Sequence, residues 1–136
     1  TEYVKALTGT RAELTPTTTL TTSAPAEFDS PANGRLRYIG TSTRTFHIAF
    51  SISGRITVTT NEVLLFEISK NGSVVTGGSF KQRFTNSAEY NGLAYHKVIT
   101  LSTNDYISMF ATSSGPTGTS TLSVFNLNIV AVGDGE

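Results

Sequence analysis

Histidines are the side chains in this sequence best suited to acid–base chemistry or metal binding, and there are two of them. His47 and His96 each fall in a segment with strand character, and neither has a second histidine or a carboxylate at metal-ligand spacing. His47 alternates with Phe46 and Ile48, so we expect its side chain on the opposite face, in a subunit contact or in water. We predict no catalytic or metal-binding role for either histidine.

Paired carboxylates are the next candidates, because glycoside hydrolysis needs two of them facing each other across a cleft. Glu62 and Glu67 qualify by position alone, and Glu67 is predicted to point to solvent from its strand. Asp105 follows Asn104 in a predicted turn, where Asp accepts local backbone hydrogen bonds. The sequence has no G-x-S-x-G elbow and no glycine-rich phosphate loop. It therefore predicts neither an enzyme nor a cofactor.

Composition limits the remaining classes of function. The 136 residues fit one domain that is large enough to bury a core. Ten Lys and Arg residues balance ten Asp and Glu residues, so there is no basic field to hold nucleic acid. Cysteine is absent, and no run of about 18 apolar residues predicts a membrane span. Only 15% of the residues are charged, which favours self-association.

The strongest structural signal runs from Arg44 to Gly72. Four apolar residues alternate with polar or small ones up to Ile52, which is the pattern of a strand with one buried face. Gly54 is predicted to begin a turn, a short strand is predicted at 56–58, and a second apolar run spans residues 62–69. Asn71-Gly72 then predicts a tight hairpin, because both residues accept positive φ. We expect these two strands in the middle of a β-sandwich.

The rest of the chain continues this pattern. Eight or nine short strands alternate with turn signals about every ten residues, and no helical period is present. Gly77-Gly78 is predicted to separate strands at 73–75 and 80–84, and residues 113–118 are predicted to form a flexible loop. In the last strand, 121–132, Phe125, Leu127 and Ile129 are expected on one face. The predicted fold class is all-β, a two-sheet antiparallel β-sandwich of the jelly-roll type.

Three regions follow from this reading. Residues 1–25 form an N-terminal arm or an edge strand, because they are Thr-rich and lack a steady apolar period. Residues 26–133 form the jelly-roll domain, and residues 134–136 form a tail.

Four motifs occur in order within the predicted domain. They are NGRLRYIGTSTRTFHIAFSISG at 33–54, LLFEISKNGSVV at 64–75, VITLSTNDYISMFAT at 98–112 and TLSVFNLNIVAVG at 121–133. Together they resemble the tumour-necrosis-factor-like jelly-roll domains of tailed-phage structural proteins, over roughly residues 30 to 133. The resemblance implies a homotrimer about a threefold axis, with one sheet of each subunit packed on its neighbours. The residues then expected at the trimer contact are His47, Ala49, Ser51, Tyr95, Val124 and Asn126.

Two virion roles use this fold in the families that the sequence resembles. One is a capsid decoration or cement protein, which binds the major capsid protein as a trimer and stabilises the capsid. The other is the receptor-binding head of a tail or head fibre. The chain has no heptad repeat for a shaft, and Thr1 is the residue that removal of an initiator Met leaves, so we favour decoration. The expected location is the capsid surface of the virion, after synthesis in the host cytoplasm.

Under this hypothesis the N-terminal arm docks on the capsid. Its apolar anchors are Tyr3, Val4, Leu7 and Leu14. A carbohydrate-binding β-sandwich module is a further alternative, in which Tyr90 and Tyr95 are the aromatic candidates and the usual Trp is missing.

Overall fold

The computed structural model of the protein describes residues 2–22, 26–57, 61–85 and 89–133. Within these ranges the chain forms ten strands and no helix. The strands are β1 (Tyr3–Leu7), β2 (Ala12–Glu13), β3 (Phe28–Asp29), β4 (Leu36–Tyr38), β5 (Arg44–Ile56), β6 (Glu62–Lys70), β7 (Ser73–Phe84), β8 (Asn91–Leu101), β9 (Tyr106–Gly115) and β10 (Ser120–Gly133).

Two antiparallel sheets make up the molecule. The four-stranded sheet has the order β1-β10-β5-β8, and the six-stranded sheet has the order β3-β4-β9-β6-β7 with β2 also paired to β9. All of these pairings are antiparallel, so the predicted all-β, two-sheet sandwich is confirmed. β5 and β6 lie inside their sheets, as the alternating pattern predicted.

The core lies between the two sheets and is filled by alternate residues of the long strands. Phe46, Ile48 and Phe50 of β5 are almost fully buried, and they face Phe66 and Ile68 of β6. Burying a side chain of this size contributes about 1.5–3 kcal/mol. The period-two pattern in the sequence therefore corresponds directly to the core face of each sheet.

β5 is longer than predicted, and the expected turn at Gly54 is wrong. The strand continues without a break to Ile56, and Gly54 pairs with β10 on one side and with β8 on the other. A Cβ atom at Gly54 would lie 2.7 Å from the carbonyl oxygen of Ser123. Glycine is needed here because the backbone of β10 approaches closely, and not because the chain turns. Position 58 of the predicted short strand at 56–58 lies outside the described residues.

β7 is likewise continuous where two strands were predicted. Gly77 has φ +76°, a left-handed conformation that glycine adopts without strain. The register between β6 and β7 shifts at this level, between Glu67 and Ser69. Gly77-Gly78 therefore forms an irregularity within one strand, as in a β-bulge, and does not end it.

The Asn71-Gly72 hairpin between β6 and β7 is confirmed. Asn71 has φ +56° and Gly72 has φ +84°, which is the pair of positive values that a type I′ turn requires. The side-chain amide of Asn71 also donates to Asp105, 2.8 Å away, so the turn is tied to the β8–β9 connection.

Gly72→Ala is expected to lower the free energy of unfolding by about 1–2 kcal/mol, because an L side chain is strained in the left-handed region. Urea denaturation measures this change. Gly9→Ala is the matched control, since Gly9 has no positive φ and nothing lies within 4 Å of an added Cβ. A Gly72→Ala protein as stable as the Gly9→Ala protein would contradict the assigned turn.

Candidate assembly interface

We call the surface of the four-stranded sheet that points away from the core its outer face. Alternate positions of four strands contribute to it, because paired residues on neighbouring strands share a face. Its side chains are Val4 and Ala6 from β1, Thr121, Ser123, Phe125, Asn126, Asn128, Val130 and Val132 from β10, Thr45, His47, Ala49, Ser51, Ser53 and Arg55 from β5, and Ala94, His96, Val98 and Thr100 from β8, with Tyr90 just before it.

The outer face concentrates the exposed apolar surface of the molecule. The described residues expose eight large apolar side chains, and six of these lie on the outer face. The two that lie elsewhere are Leu20 and Ile39. Within the outer face as defined above, Arg55 is the one side chain with a permanent charge. A sheet face with one permanently charged side chain and this many exposed apolar ones is typical of a surface that another protein covers.

A β-bulge in β10 gives the outer face its most exposed aromatic residue. The register between β10 and β5 shifts between Val124 and Asn126, so Phe125 is the extra residue. Val124 points into the core and is 3% exposed, whereas Phe125 points outward and is 67% exposed. Beyond the bulge the parity of the strand is reversed, so that Leu127 and Ile129 pack against the core. Bulges of this kind redirect a side chain.

Phe125 belongs to an aromatic cluster, which we define as Phe125, Tyr90, Arg55 and Glu2. The rings of Phe125 and Tyr90 meet edge to face, with centroids 5.9 Å apart and planes at 71°. The guanidinium of Arg55 lies 5.4 Å from the centre of the Tyr90 ring. This cluster stands at the end of the outer face where β5 reaches Ile56.

Glu2 fixes the polar side of the aromatic cluster. Its carboxylate accepts hydrogen bonds from the hydroxyls of Ser123 and Tyr90, and Arg55 Nε lies 3.8 Å from Oε1. The bond from Ser123, followed by that from Tyr90, lowers the pKa of Glu2. The same bond to Glu2 raises the pKa of Tyr90. The Tyr90 ring is thus held in one position by its own hydroxyl.

Solved structures with a similar fold exist. The crystal structure of murine APRIL at pH 5.0 matches 91% of this chain and 98% of that chain, with a TM-score of 0.50 and 16% sequence identity. The fold is a tumour-necrosis-factor-like jelly roll. The crystal structure of pika GITRL covers 92% of this chain and 96% of that chain at 14% identity, with a TM-score of 0.46. No family model and no curated protein sequence matches the chain. At 16% identity, the likeness to the APRIL structure shows the tumour-necrosis-factor-like fold alone.

Four of the residues predicted for a trimer contact lie on the outer face of this jelly roll. His47, Ser51 and Asn126 are exposed there, and Ala49 is half-buried. Two side chains that the sequence placed there do not reach it. The outward position predicted for Val124 is wrong. The bulge in β10 comes after Val124, so this residue does not share the alternation of the residues beyond the bulge and points into the core.

Tyr95 points to the other side of the sheet. It pairs with the core residue Phe50, and its ring stacks on Phe80 at a centroid distance of 4.8 Å. Its hydroxyl donates to the carbonyl oxygen of Gly77. Tyr95 therefore fastens β8 to β7 across the edge of the sandwich, which leaves its ring unavailable to the outer face.

The predicted capsid-docking anchors separate in the same way. Leu7 and Leu14 are core residues with 1% and 0% exposure, so the prediction that they dock on another protein is wrong. β1 pairs with β10, and the Leu14 amide donates to the Met109 carbonyl over 2.9 Å, so residues 3–14 are built into the jelly roll. Tyr3 is half-buried, with its hydroxyl bonded to Thr15, and Val4 is exposed on the outer face.

Sequence reasoning missed the aromatic cluster, although one signal for it is present. Leu122 and Val124 are two residues apart, but Val124 and Leu127 are three apart. A strand with one buried face needs an extra residue at such a point, and Phe125 lies within that interval. The valines of β8 and β10 were missed because exposed Val residues look like ordinary strand formers.

Glu62 is a second polar centre, away from the outer face. The side chain has no exposure and accepts five hydrogen bonds from the end of β9 and the loop after it. The donors are the hydroxyls of Ser113 and Thr117 and the backbone amides of Gly115, Thr117 and Gly118. Burial raises the pKa of Glu62, but the bonds from Ser113, Thr117 and Gly118 outweigh it and lower the pKa to about 2.

This arrangement corrects two predictions. Residues 113–115 belong to β9, and the loop after them is tied to Glu62 and is not a loose connection. Glu67 is 5% exposed where solvent was predicted, because Arg11 forms a bidentate pair with it at 2.9 and 3.1 Å. Both carboxylates are thus occupied by structural contacts, which leaves no facing pair for glycoside hydrolysis between them.

Among the described residues, no group of three or more His, Asp or Glu side chains could hold a metal ion. None of these residues belongs to a helix with the length and hydropathy of a membrane span.

Proposed function

We propose that this protein assembles as a homotrimer through the outer face, and that the trimer is a virion structural protein that decorates and stabilises a capsid. The observation that carries the assembly is the gathering of six exposed large apolar side chains on one nearly uncharged sheet face. Exposure of these apolar side chains to water is unfavourable, so their burial against another protein lowers the free energy.

The composition of the aromatic cluster supports a contact between subunits. Binding energy at protein interfaces concentrates in a few residues, and Tyr and Arg are prominent among them. Tyr90 is held by its bond to Glu2, so it loses little side-chain freedom when a neighbour packs on it. Phe125, 67% exposed, is the largest apolar gain available. In the proposed trimer this contact joins unlike patches of identical subunits, and three such contacts close the ring.

The virion role is supported by the four sequence motifs at 33–54, 64–75, 98–112 and 121–133. In this role a trimer on the capsid surface bridges neighbouring copies of the major capsid protein. Three linked copies raise the effective concentration of each single contact. A ligand that binds the closed capsid better than the opened one stabilises the closed state by mass action. No cofactor takes part.

The mass of the protein in solution tests the assembly. Light scattering coupled to size exclusion should give about three times the 14.5 kDa of one chain at micromolar concentration and neutral pH. A mass of one chain across the accessible concentrations would overturn the homotrimer.

The copy number in purified particles tests the virion role. We expect a number within a few-fold of that of the major capsid protein, because only binding sites on the capsid lattice reach such numbers. Absence from particles would reject the virion role and leave the assembly intact.

A receptor-binding fibre head is the second candidate, and one observation favours it. Tyr90 and Phe125 form an exposed aromatic pair at one end of the sandwich, and such pairs also contact receptors. Tens of copies per particle, far fewer than the major capsid protein, would select this role over decoration.

A further inference from the structure

Two histidines lie side by side on the outer face. His47 of β5 pairs with Val98 of β8, and His96 of β8 pairs with Ala49 of β5, so the two imidazoles occupy diagonal positions on adjacent strands. On its other side His47 pairs with Val132 of β10. Both histidines are exposed in the single chain. A neighbouring subunit packed on this face would cover them together with the valines.

The electrostatic surroundings of this pair contain no opposite charge among the described residues. β10 and β1 contribute only uncharged side chains to the outer face, and β8 contributes only His96 as a titratable group. Arg55 and Glu2 are paired with each other at the opposite end of β5, beside Tyr90. The acidic residues Asp134 and Glu136 follow β10 in the sequence and lie outside the described residues.

We propose that His47 and His96 make the assembly pH-dependent, so that the trimer holds while both imidazoles are neutral and weakens when they are protonated. This inference rests on the proposed homotrimer. Histidine is the side chain whose charge ordinarily changes between about pH 5 and pH 8. A contact lined with valines disfavours the charged form, since an imidazolium loses its hydration there and no carboxylate of the described residues lies beside either histidine. Two adjacent imidazolium ions also repel each other.

The direction follows from proton linkage. The dissociated subunits bind protons on these histidines more readily than the trimer does, so lower pH favours dissociation. Stability of the trimer is present in full when the histidines are neutral and is lost as the pH falls. The fold itself should persist, because hydrogen bonds lower the pKa of Glu62 to about 2 and also lower that of Glu2.

Sedimentation velocity over a concentration series, at about pH 8 and about pH 5 with the ionic strength fixed, measures this dependence. We expect the concentration at half dissociation to rise at least ~10-fold at the lower pH, since every subunit would bring two imidazolium ions into a contact that removes their hydration. The double variant His47→Asn/His96→Asn keeps polar, neutral side chains and should lose this response. Ser73→Asn, at an exposed position of β7 in the other sheet, is the control and should keep it.

Each outcome has a distinct meaning. A trimer at pH 8 whose affinity is equal or higher at pH 5 overturns the inference and leaves the homotrimer standing. A loss of affinity at pH 5 that persists in the double variant also overturns it, because another group is then responsible. A single chain at pH 8 overturns the homotrimer itself. Dissociation at pH 5 that disappears in the double variant supports the inference.

Discussion

Glu62→Gln is expected to destabilise the folded chain by about 2–4 kcal/mol, because the variant leaves buried donors without an acceptor. Each oxygen of the Glu62 carboxylate serves more than one donor. Oε1 accepts from the amide and hydroxyl of Thr117, and Oε2 accepts from Ser113, Gly115 and Gly118. An amide group replaces one of these oxygens by an NH2, which cannot accept, so at least one backbone amide faces another donor beside a fully buried side chain.

Urea denaturation followed by circular dichroism at pH 7 measures the change. Glu89→Gln is the matched control, because Glu89 is exposed and the same substitution there should alter stability by less than about 0.5 kcal/mol. A Glu62→Gln protein with the same urea midpoint as the Glu89→Gln protein would contradict the role assigned to these hydrogen bonds.

The same site predicts an acid dependence of stability. The pKa of Glu62 is lowered from 4.5 to about 2 in the folded chain. A carboxyl whose folded pKa is depressed stabilises the fold above its unfolded pKa, and this contribution is lost as the pH falls through the folded value. The stability difference between wild type and Glu62→Gln should therefore shrink as the pH is lowered from about 4.5 towards 2. A difference that stays constant over this window would show that the charge of Glu62 plays no part.

Sequence periodicity predicted the sandwich because the cause of the pattern is local. In β5 a buried residue at every second position, such as Phe46 and Ile48, is required by the pleat of the strand itself. Gly54 and Gly77 were misread as breaks because their function depends on another strand. Glycine is required at position 54 by the backbone of β10, because a Cβ atom there would lie 2.7 Å from the carbonyl oxygen of Ser123. Ser123 is about 70 residues away in sequence.

The same limit applies to the polar sites. Glu67 looked like a solvent-facing residue because its partner Arg11 is 56 positions earlier, and Glu62 meets its donors 51–56 positions later. No residue near Glu67 or Glu62 in the sequence indicates these partners. On the outer face, strand alternation was sufficient to place His47 and Ser51, which precede any irregularity in β5. It failed at Val124, where one extra residue in β10 reverses the faces.

Phe125→Asp is expected to raise the concentration at half dissociation of the proposed trimer at least ~100-fold, an effect of the size found for large aromatic residues that dominate an interface. The substitution removes the largest exposed apolar side chain of the outer face and places a carboxylate in a contact that excludes water. The single chain should remain folded. Phe125 is 67% exposed there and contributes little to the core, so the free energy of unfolding should change by less than about 0.5 kcal/mol.

Sedimentation velocity and urea denaturation of the same preparation separate these two effects. Ile39→Asp is the matched control, because Ile39 is also an exposed apolar residue but follows β4 in the other sheet. It should assemble as the wild type does, since a charge outside the outer face leaves the contact unchanged. Trimers of Phe125→Asp with wild-type affinity would exclude the aromatic cluster from the interface. The loss of assembly in both variants would instead show that the interface extends to the six-stranded sheet, against the surface proposed here.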